Sequence, residues 1–482
     1  MIYEYEYDNE IKHLKIEVLT KVAKYTYEDS LAERAQDIPY EIIPGPLPTF
    51  RCCVYKEREI IRERFVSACG RSLPGQPDDK VLGVLPAACE GCPISRFRVT
   101  DNCQNCLAHK CKAACRFGAI TITPKGAYID PKKCKECGQC AAACPYNAIS
   151  DTLRPCVRSC PVNAIGKDKY QRSVIDYDRC ISCGACMKAC PFGAITDRSQ
   201  MVEVIHVLKS QIPVTAVFAP AIEGHFGKAT IGMLKSAMKK LGFSDAIEVS
   251  LGADAVAEHE AHELKDAIEN GRKMTTSCCS AFVEMIEKHF PKLAENISKT
   301  VSPMTAVARY IHSRNPETKV VFIGPCVAKK LEIIKVEDTA DYVLTFEELA
   351  ALFIAKNINV EEITESEQDG SRAGKGFAQS GGVVDAIKKV LEEEKFQTPF
   401  SCIHCDGAKE CRKILSTMNA GRLAENFVEG MACEGGCIAG PAGVESLQNI
   451  KRNRNQLLKQ ADNRTSVENI SVIHDFTHVK MV

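Results

Sequence analysis

Glu429-Gly-Met-Ala-Cys433-Glu-Gly-Gly-Cys437 sets two cysteines four apart around a Gly-Gly pair. Glycine lets a backbone take positive φ and come close to a bulky object. Two other short cysteine segments lie more than a hundred residues upstream, Thr276-Ser-Cys278-Cys279 and Gly324-Pro325-Cys326-Val-Ala-Lys329. The three segments read as walls of one buried metal site, with the rest of the chain wiring and packing around it.

Composition narrows the class. The chain has 482 residues, 45% hydrophobic and 26% charged, which fits a globular protein of two to four domains. The formal net charge is +0, so no nucleic-acid surface is expected. No apolar run reaches the length of a membrane span. The opening Met1-Ile-Tyr-Glu-Tyr-Glu-Tyr-Asp lacks the apolar core of a signal peptide, so a cytoplasmic location is expected. The outlier is 27 cysteines, and in a reducing compartment such a number argues for metal sites or redox chemistry.

Three regions are expected. Residues 1–85 read as mostly helical, with Val54–Val66 an amphipathic helix after a loop at Pro44, Pro46 and Pro48. Cys52, Cys53 and Cys69 have no ligand spacing and read as buried small hydrophobes. Residues 86–200 hold an internal repeat. Cys134-x2-Cys137-x2-Cys140-x3-Cys144-Pro145 is the run that binds a 4Fe–4S cluster in bacterial ferredoxins, and Cys180-x2-Cys183-x2-Cys186-x3-Cys190-Pro191 repeats it. Cys103-x2-Cys106-x4-Cys111-x3-Cys115 is a stretched version, and Cys156-x3-Cys160-Pro161 is the back half of another. The tails Phe117-Gly-Ala-Ile, Tyr146-Asn-Ala-Ile, Val162-Asn-Ala-Ile and Phe192-Gly-Ala-Ile are near copies.

Three closely spaced thiolates wrap three irons of a cube, and the fourth ligand comes from the partner motif. That rule pairs Cys103, Cys106 and Cys111 with Cys144, and Cys134, Cys137 and Cys140 with Cys115. Cys180, Cys183 and Cys186 then take Cys160. Cys156 and Cys190 remain, and Cys89-Glu-Gly-Cys92 would complete a fourth set, against the alternative of a degenerate module with spare thiols. Three to four accessory clusters follow.

Residues 201–482 change character. Strand-like runs at Val214–Ala219, Ala246–Ser250 and Lys319–Ile323 alternate with helical patterns at 227–241, 253–270 and 281–289. That alternation predicts parallel α/β layers, with sites where strands end. Residues 361–376 read as a surface loop, and Gly381-Gly382 opens a helix. Cys402-x2-Cys405-x5-Cys411 offers three ligands for an extra site, or free thiols. Lys451-Arg-Asn-Arg454 reads as a solvated helix face.

Thr276-Ser-Cys-Cys279, Pro325-Cys-Val-Ala-Lys-Lys-Leu-Glu332 and Glu429–Cys437 resemble, in order and separation, the three signatures of FeFe-hydrogenases. The resemblance covers residues 86–445 and is nearest to the divergent group B of that family. It implies an α/β catalytic domain of two lobes behind ferredoxin-like modules. The implied cofactor is an H-cluster, a 4Fe–4S cube bridged to a diiron unit bearing CO, cyanide and azadithiolate. Cys279, Cys326, Cys433 and Cys437 would hold the cube, with Cys437 bridging. Cys278 would exchange protons with the azadithiolate amine, Lys329 would donate to a cyanide, and Met431 would pack beside the diiron unit with Glu332 nearby. The implied proton relay is Cys278, Glu260, Ser298, Glu263; without the resemblance both glutamates would read as an exposed helix face.

The implied reaction is 2 H⁺ + 2 e⁻ ⇌ H₂. Ferredoxin is the implied electron partner, and maturation factors install the diiron unit. A low-turnover hydrogen sensor is the alternative, and an iron–sulfur assembly protein a more distant one. Around the matching thiols the chain departs from the family pattern: Ser280, Phe282, Gly324, Ala221, Met304 and Ala267 stand where Pro, Trp, Met, Ser, Gln and Arg are usual. Outer-shell partners tune a metal site, so altered bias, rate or gas sensitivity is expected.

Overall fold

The computed structural model describes residues 9–362, 369–396, 400–458, 464–470 and 475–482. Two parallel sheets organise the C-terminal half. The four-stranded sheet runs Asp245–Glu248, Val214–Phe218, Lys319–Gly324, Tyr342–Thr345, with every pair parallel. The three-stranded sheet runs Met274–Thr275, Phe427–Met431, Cys402–Asp406, again all parallel. Val214–Phe218 and Phe427–Met431 are buried at every position. A parallel strand covered by helices on both faces has no solvent side, which is why these runs are mostly apolar or small, Glu429 being the exception.

The helices cover the sheets as the periodicity predicts, with shifted ends. One spans Ile231–Leu241 rather than starting at 227, because the Thr230 side chain accepts from Met233 N and caps it there. Another, Ser250–Glu269, starts directly after the strand Asp245–Glu248. A third spans Gly382–Glu393. The loop expected at 361–376 is partly wrong: Arg372–Gly376 is a short helix capped by Ser371, while 363–368 lie outside the described residues. Its Gly374 lies so close to Ser250 O that an added Cβ would sit 2.2 Å away.

Residues before Val214 form smaller units. Helices Glu10–Tyr27 and Val54–Ala68 are present, and Glu10–Tyr27 packs on helix Phe346–Ala355 of the C-terminal half. Antiparallel strand pairs join Phe97–Val99 to Ile149–Asp151, Ile120–Thr123 to Gly126–Ile129, and Ile165–Lys167 to Ser173–Ile175. Leu82–Val84 pairs with Ile195–Asp197, so the stretch before Cys89 is tied to the second module. Cys52 is exposed and Cys53 and Cys69 half-buried, which corrects their reading as buried hydrophobes.

The tail also corrects an expectation. Helix Leu447–Leu457 turns Ile450 and Arg454 inward, one helical turn apart. Arg454 is wholly buried, donates to Lys375 O at 2.6 Å and lies 3.4 Å from Glu223. It is not part of a solvated face. Asp254 anchors the next piece of tail. It is buried and accepts from Ser371 N (2.9 Å), Ser466 Oγ (2.7 Å) and Asn469 Nδ2 (2.8 Å). Among the described residues no helix is long and apolar enough to cross a membrane. Asp254→Ala should strand these buried donors and cost about 2 kcal/mol or more. The expected readout is a lower apparent Tm with earlier proteolysis near residue 466.

Candidate metal and proton-transfer site

The three signature segments all leave the carboxyl ends of parallel strands. Thr276–Cys279 follows Met274–Thr275, Pro325–Lys329 follows Lys319–Gly324, and Ala432–Cys437 follows Phe427–Met431. A parallel sheet gathers loops at that edge, so three distant stretches meet in one place. Buried Glu429 holds the last strand: its carboxylate accepts from Gly381 N (2.8 Å) and Val384 N (2.9 Å) at the start of helix Gly382–Glu393. Gly436 has φ +86, and a Cβ there would meet Ala378 O at 2.7 Å, so the loop admits only glycine. His225 clamps the far side, its Nε2 3.1 Å from Ile438 O while Val444 N donates to Nδ1 at 3.3 Å. With Nδ1 accepting, Nε2 is the protonated nitrogen.

Cys279, Cys326, Cys433 and Cys437 come together at this edge. Burial, then the charges of Cys279 and Cys326, push the Cys437 thiol up to about 12. Burial, then Cys326, Cys437 and Cys279, push Cys433 well up. Burial, then Cys279, pushes Cys326 up to about 11. A cluster of mutually repelling, desolvated thiols is a poor arrangement for itself and a good one for iron, a soft-ligand metal that keeps thiolates deprotonated. The donor set therefore fits a cuboidal iron–sulfur cluster.

Beside these thiols lies a cavity of about 90 Å³ walled by Ala219, Ala221, Val249, Met304, Phe322, Phe377 and Met431, with Cys278, Ser280 and Lys329 as its polar members. Several departures become intelligible here. An added Cβ on Gly324 would meet the Phe322 ring at 2.6 Å, so that ring takes the space of a larger side chain. Phe282 is fully buried and packs against Gly430, where a Cβ would be 2.3 Å from the ring. Ala221 and Met304 leave the cavity wall without hydrogen-bond donors at those two points.

Lys329 is buried and reaches Cys278 O at 3.3 Å and Glu332 at 2.5 Å. Burial alone would lower its pKa, but Glu332 and the thiols Cys326 and Cys278 hold it up. Burial would raise Glu332, yet Lys329 and donors from Ser280 and Ser302 hold it down. Ser280, one of the departures, thus joins the Lys329–Glu332 pair directly.

Two of the residues expected in the relay, Ser298 and Glu263, are hydrogen-bonded. Glu260 is fully buried and its Oε2 makes no hydrogen bond among the described residues. Burial pushes it up to about 8, partly offset by the Ser298 hydroxyl. Ser298 donates to Glu263 at 2.7 Å. Burial, then the charge of Glu260, pushes the Cys278 thiol well up. Ser277 was not singled out in the sequence; its hydroxyl donates to Thr300 O and approaches Glu260 Oε1 at 3.5 Å.

Several of the ferredoxin-like thiols lie within electrostatic reach of one another. Cys111 feels Cys144 and Cys103, and Cys140 feels Cys134 and Cys115. Cys180 feels Cys160, and Cys186 feels Cys183, Cys180 and Cys160. Cys92 feels Arg154, then Cys190, Cys156 and Cys89. Cys106 and Cys137 sit within their motifs, half-buried and exposed respectively. Each of the four repeat tails turns through a left-handed residue: Gly118, Asn147, Asn163 and Gly193, with φ 60, 50, 51 and 56. That turn aims the next amide back at a thiol: Ala119 N to Cys115, Ala148 N to Cys144, Ala164 N to Cys160 and Ala194 N to Cys190, at 3.3, 3.4, 3.2 and 3.3 Å. Such N–H···S bonds stabilise thiolate charge and tune a cluster. Cys183 lies within electrostatic reach of Cys279 and Cys433, so the third set adjoins the four-thiol site.

Cys402, Cys405 and Cys411 do not converge. Cys402 and Cys405 are three apart on strand Cys402–Asp406 and so point to opposite faces. Cys405 and Cys411 are buried together near Phe282 and Val428, whereas Cys402 packs on the other core. Cys411 Sγ donates to Met431 O at 3.4 Å. The three-ligand reading fails on strand geometry.

These features define an iron–sulfur protein with a buried thiol site and a polar relay behind it. Residues 212–441 match the family described as iron only hydrogenase large subunit, C-terminal domain. Residues 127–150 and 173–196 match the 4Fe-4S binding domain. Residues 212–441 are thus similar to the C-terminal domain of iron-only hydrogenases, and the 4Fe–4S motifs lie before them. It is 28% identical over 327 residues to Iron hydrogenase 1 of Clostridium pasteurianum, covering 56% of this chain and 57% of that protein. It is 26% identical over 301 residues to the periplasmic Fe hydrogenase large subunit of Nitratidesulfovibrio vulgaris, covering 50% of this chain and 72% of that protein. A solved apo FeFe-hydrogenase variant from Chlamydomonas reinhardtii is 21% identical, with TM-score 0.48 over 56% of this chain and 92% of that one. The chain spans little more than half the length of the clostridial relative.

Two outcomes are expected. Glu260 has a raised folded pKa, so its contribution to stability is present below the unfolded value near 4.5 and lost as pH rises through about 8. Glu260→Gln should flatten that fall, read as Tm against pH. Cys156→Ser should lower bound iron by about one 4Fe–4S complement per chain if Cys89, Cys92, Cys156 and Cys190 hold a cluster; unchanged iron would mean spare thiols.

Proposed function

We propose that this protein is an FeFe-hydrogenase that interconverts protons and H₂, with ferredoxin as its electron partner. The observation that carries this reading is the meeting of Cys279, Cys326, Cys433 and Cys437 beside an apolar cavity that Cys278 and Lys329 enter. In the proposed division, residues 86–200 relay electrons, residues 201–482 house the catalytic site, and residues 1–85 pack against both. The four cysteines would hold the iron–sulfur cube of an H-cluster. When bound, that group supplies the redox and hydride chemistry of H₂ formation.

The chain's own residues do the rest. The apolar wall excludes bulk water, which strengthens every charge interaction inside. Lys329 is a fixed cation at the cavity, positioned by Glu332 and able to donate a charge-assisted hydrogen bond to an anionic ligand. Glu263, Ser298 and Glu260 would pass a proton inward, with Ser298 and Glu263 already hydrogen-bonded, and Cys278 would carry it at Sγ to the cavity. Met431 lies against the cavity and fills it without competing donors.

After anaerobic maturation with the diiron unit, infrared spectra should show bands in the CO/cyanide window together with H₂ evolution. Cys278→Ala should keep the bands and lose on the order of 100-fold or more in turnover, the scale of a lost proton-transfer group. Missing bands would sink the proposed cofactor, and bands without turnover in the wild type would point to sensing.

A further inference from the structure

The relay does not end at Glu263. Thr300 Oγ1 donates to Glu263 Oε2 at 3.0 Å, and His259 Nδ1 lies 2.8 Å from the same Thr300 oxygen. Glu263 thus accepts from Ser298 on the inner side and Thr300 on the outer, while Lys299 N holds its other oxygen at 2.8 Å. Thr300 is buried, whereas His259 is half-buried on helix Ser250–Glu269 and its Nε2 makes no hydrogen bond among the described residues. On the next turn of that helix Leu264 and Ala267 are buried and apolar, while His262 and Lys265 pair with Glu394 and Glu269 instead.

We propose that His259, acting through Thr300, is the group that exchanges protons between solvent and Glu263. This rests on the reading of Glu260, Ser298 and Glu263 as the inner relay.

The hydrogen bonds fix the ring's state. Thr300 has one hydroxyl proton and spends it on a carboxylate, which can only accept. His259 Nδ1 must then be the donor to Thr300, leaving Nε2 bare. A balanced transfer follows. Nε2 takes a proton from hydronium or a buffer acid in solvent, the Nδ1 proton passes to Thr300 Oγ1, and the hydroxyl's own proton passes to Glu263 Oε2. The ring is left neutral and protonated at Nε2. It resets when the hydroxyl turns back toward Glu263 and the ring exchanges its Nε2 proton for one at Nδ1. In the oxidative direction each step runs backward. Burial lowers the His259 pKa, Glu263 raises it and His262 lowers it, so the ring is poised to be neutral at rest.

A rival inlet exists. A cavity of about 300 Å³ lined by Ser298, Thr300, Ser302, Glu332 and Lys335 could bring water to Ser298 directly. The experiment separates the two. Nitrogen-15 NMR of the full-length wild type, with His259→Gln to assign the signal, should show the Nδ1–H tautomer for His259; an Nε2–H tautomer would overturn the inference. In the matured enzyme, His259→Phe and His259→Gln should each lower H₂ turnover at least about tenfold, and imidazole in solution should restore much of it to His259→Gly. Full turnover in both substitutions, alongside a loss in Glu263→Gln, would place the inlet at the cavity and overturn the role of His259 alone. Full turnover in Glu263→Gln would overturn the inner relay and this inference with it.

Discussion

A buried thiolate is unfavourable unless a cation meets it, and here four thiols are gathered beside one apolar cavity. Much of the C-terminal half can be understood as what is required to impose that arrangement. Two parallel sheets bring three loops to a common edge. Glu429 fixes one loop to a helix N-terminus, and His225 pins the segment just beyond Cys437. Gly436 lets the chain pass Ala378 at a distance no side chain would tolerate. Metal binding and folding are coupled in such a site, because ligands held in place before the metal arrives repel one another.

The polar side of the cavity follows a different logic. Lys329 and Glu332 are both buried, and a buried pair is stable only when its remaining hydrogen-bonding positions are filled. Ser280 and Ser302 fill them. A serine at 280 is therefore more than a tolerated replacement: it donates to the carboxylate that orients the lysine at the cavity. Gly324 and Phe282 show the same kind of compensation in apolar terms, a ring filling space that a neighbouring glycine leaves open.

How much of this was legible in the sequence differs by feature. Cysteine spacing pointed to candidate ligands in the ferredoxin-like region, because a cube constrains its ligands at short range and in fixed order. The repeat tails were visible as Gly or Asn at one position, and the structure supplies the reason, a left-handed turn that aims an amide at a thiol. Strand and helix types were legible from periodicity, while their ends were moved by caps such as Thr230. Cys402, Cys405 and Cys411 misled because spacing alone does not say that the first two share a strand and face apart. Arg454 misled because a charge run looks solvated until its helix turns one member inward. Ser277, Thr300 and His259 carried no signal at all: a hydrogen-bonded line assembled from one helix and two loops has no spacing to read.

The most direct test of the central claim is iron-edge anomalous diffraction from anaerobic crystals of the loaded protein. The expected result is a multi-iron peak bounded by the sulfurs of Cys279, Cys326, Cys433 and Cys437, extended on the Cys437 side, with further peaks within the ferredoxin-like sets. A single tetrahedral ion at those four cysteines, or thiols without iron, would contradict it.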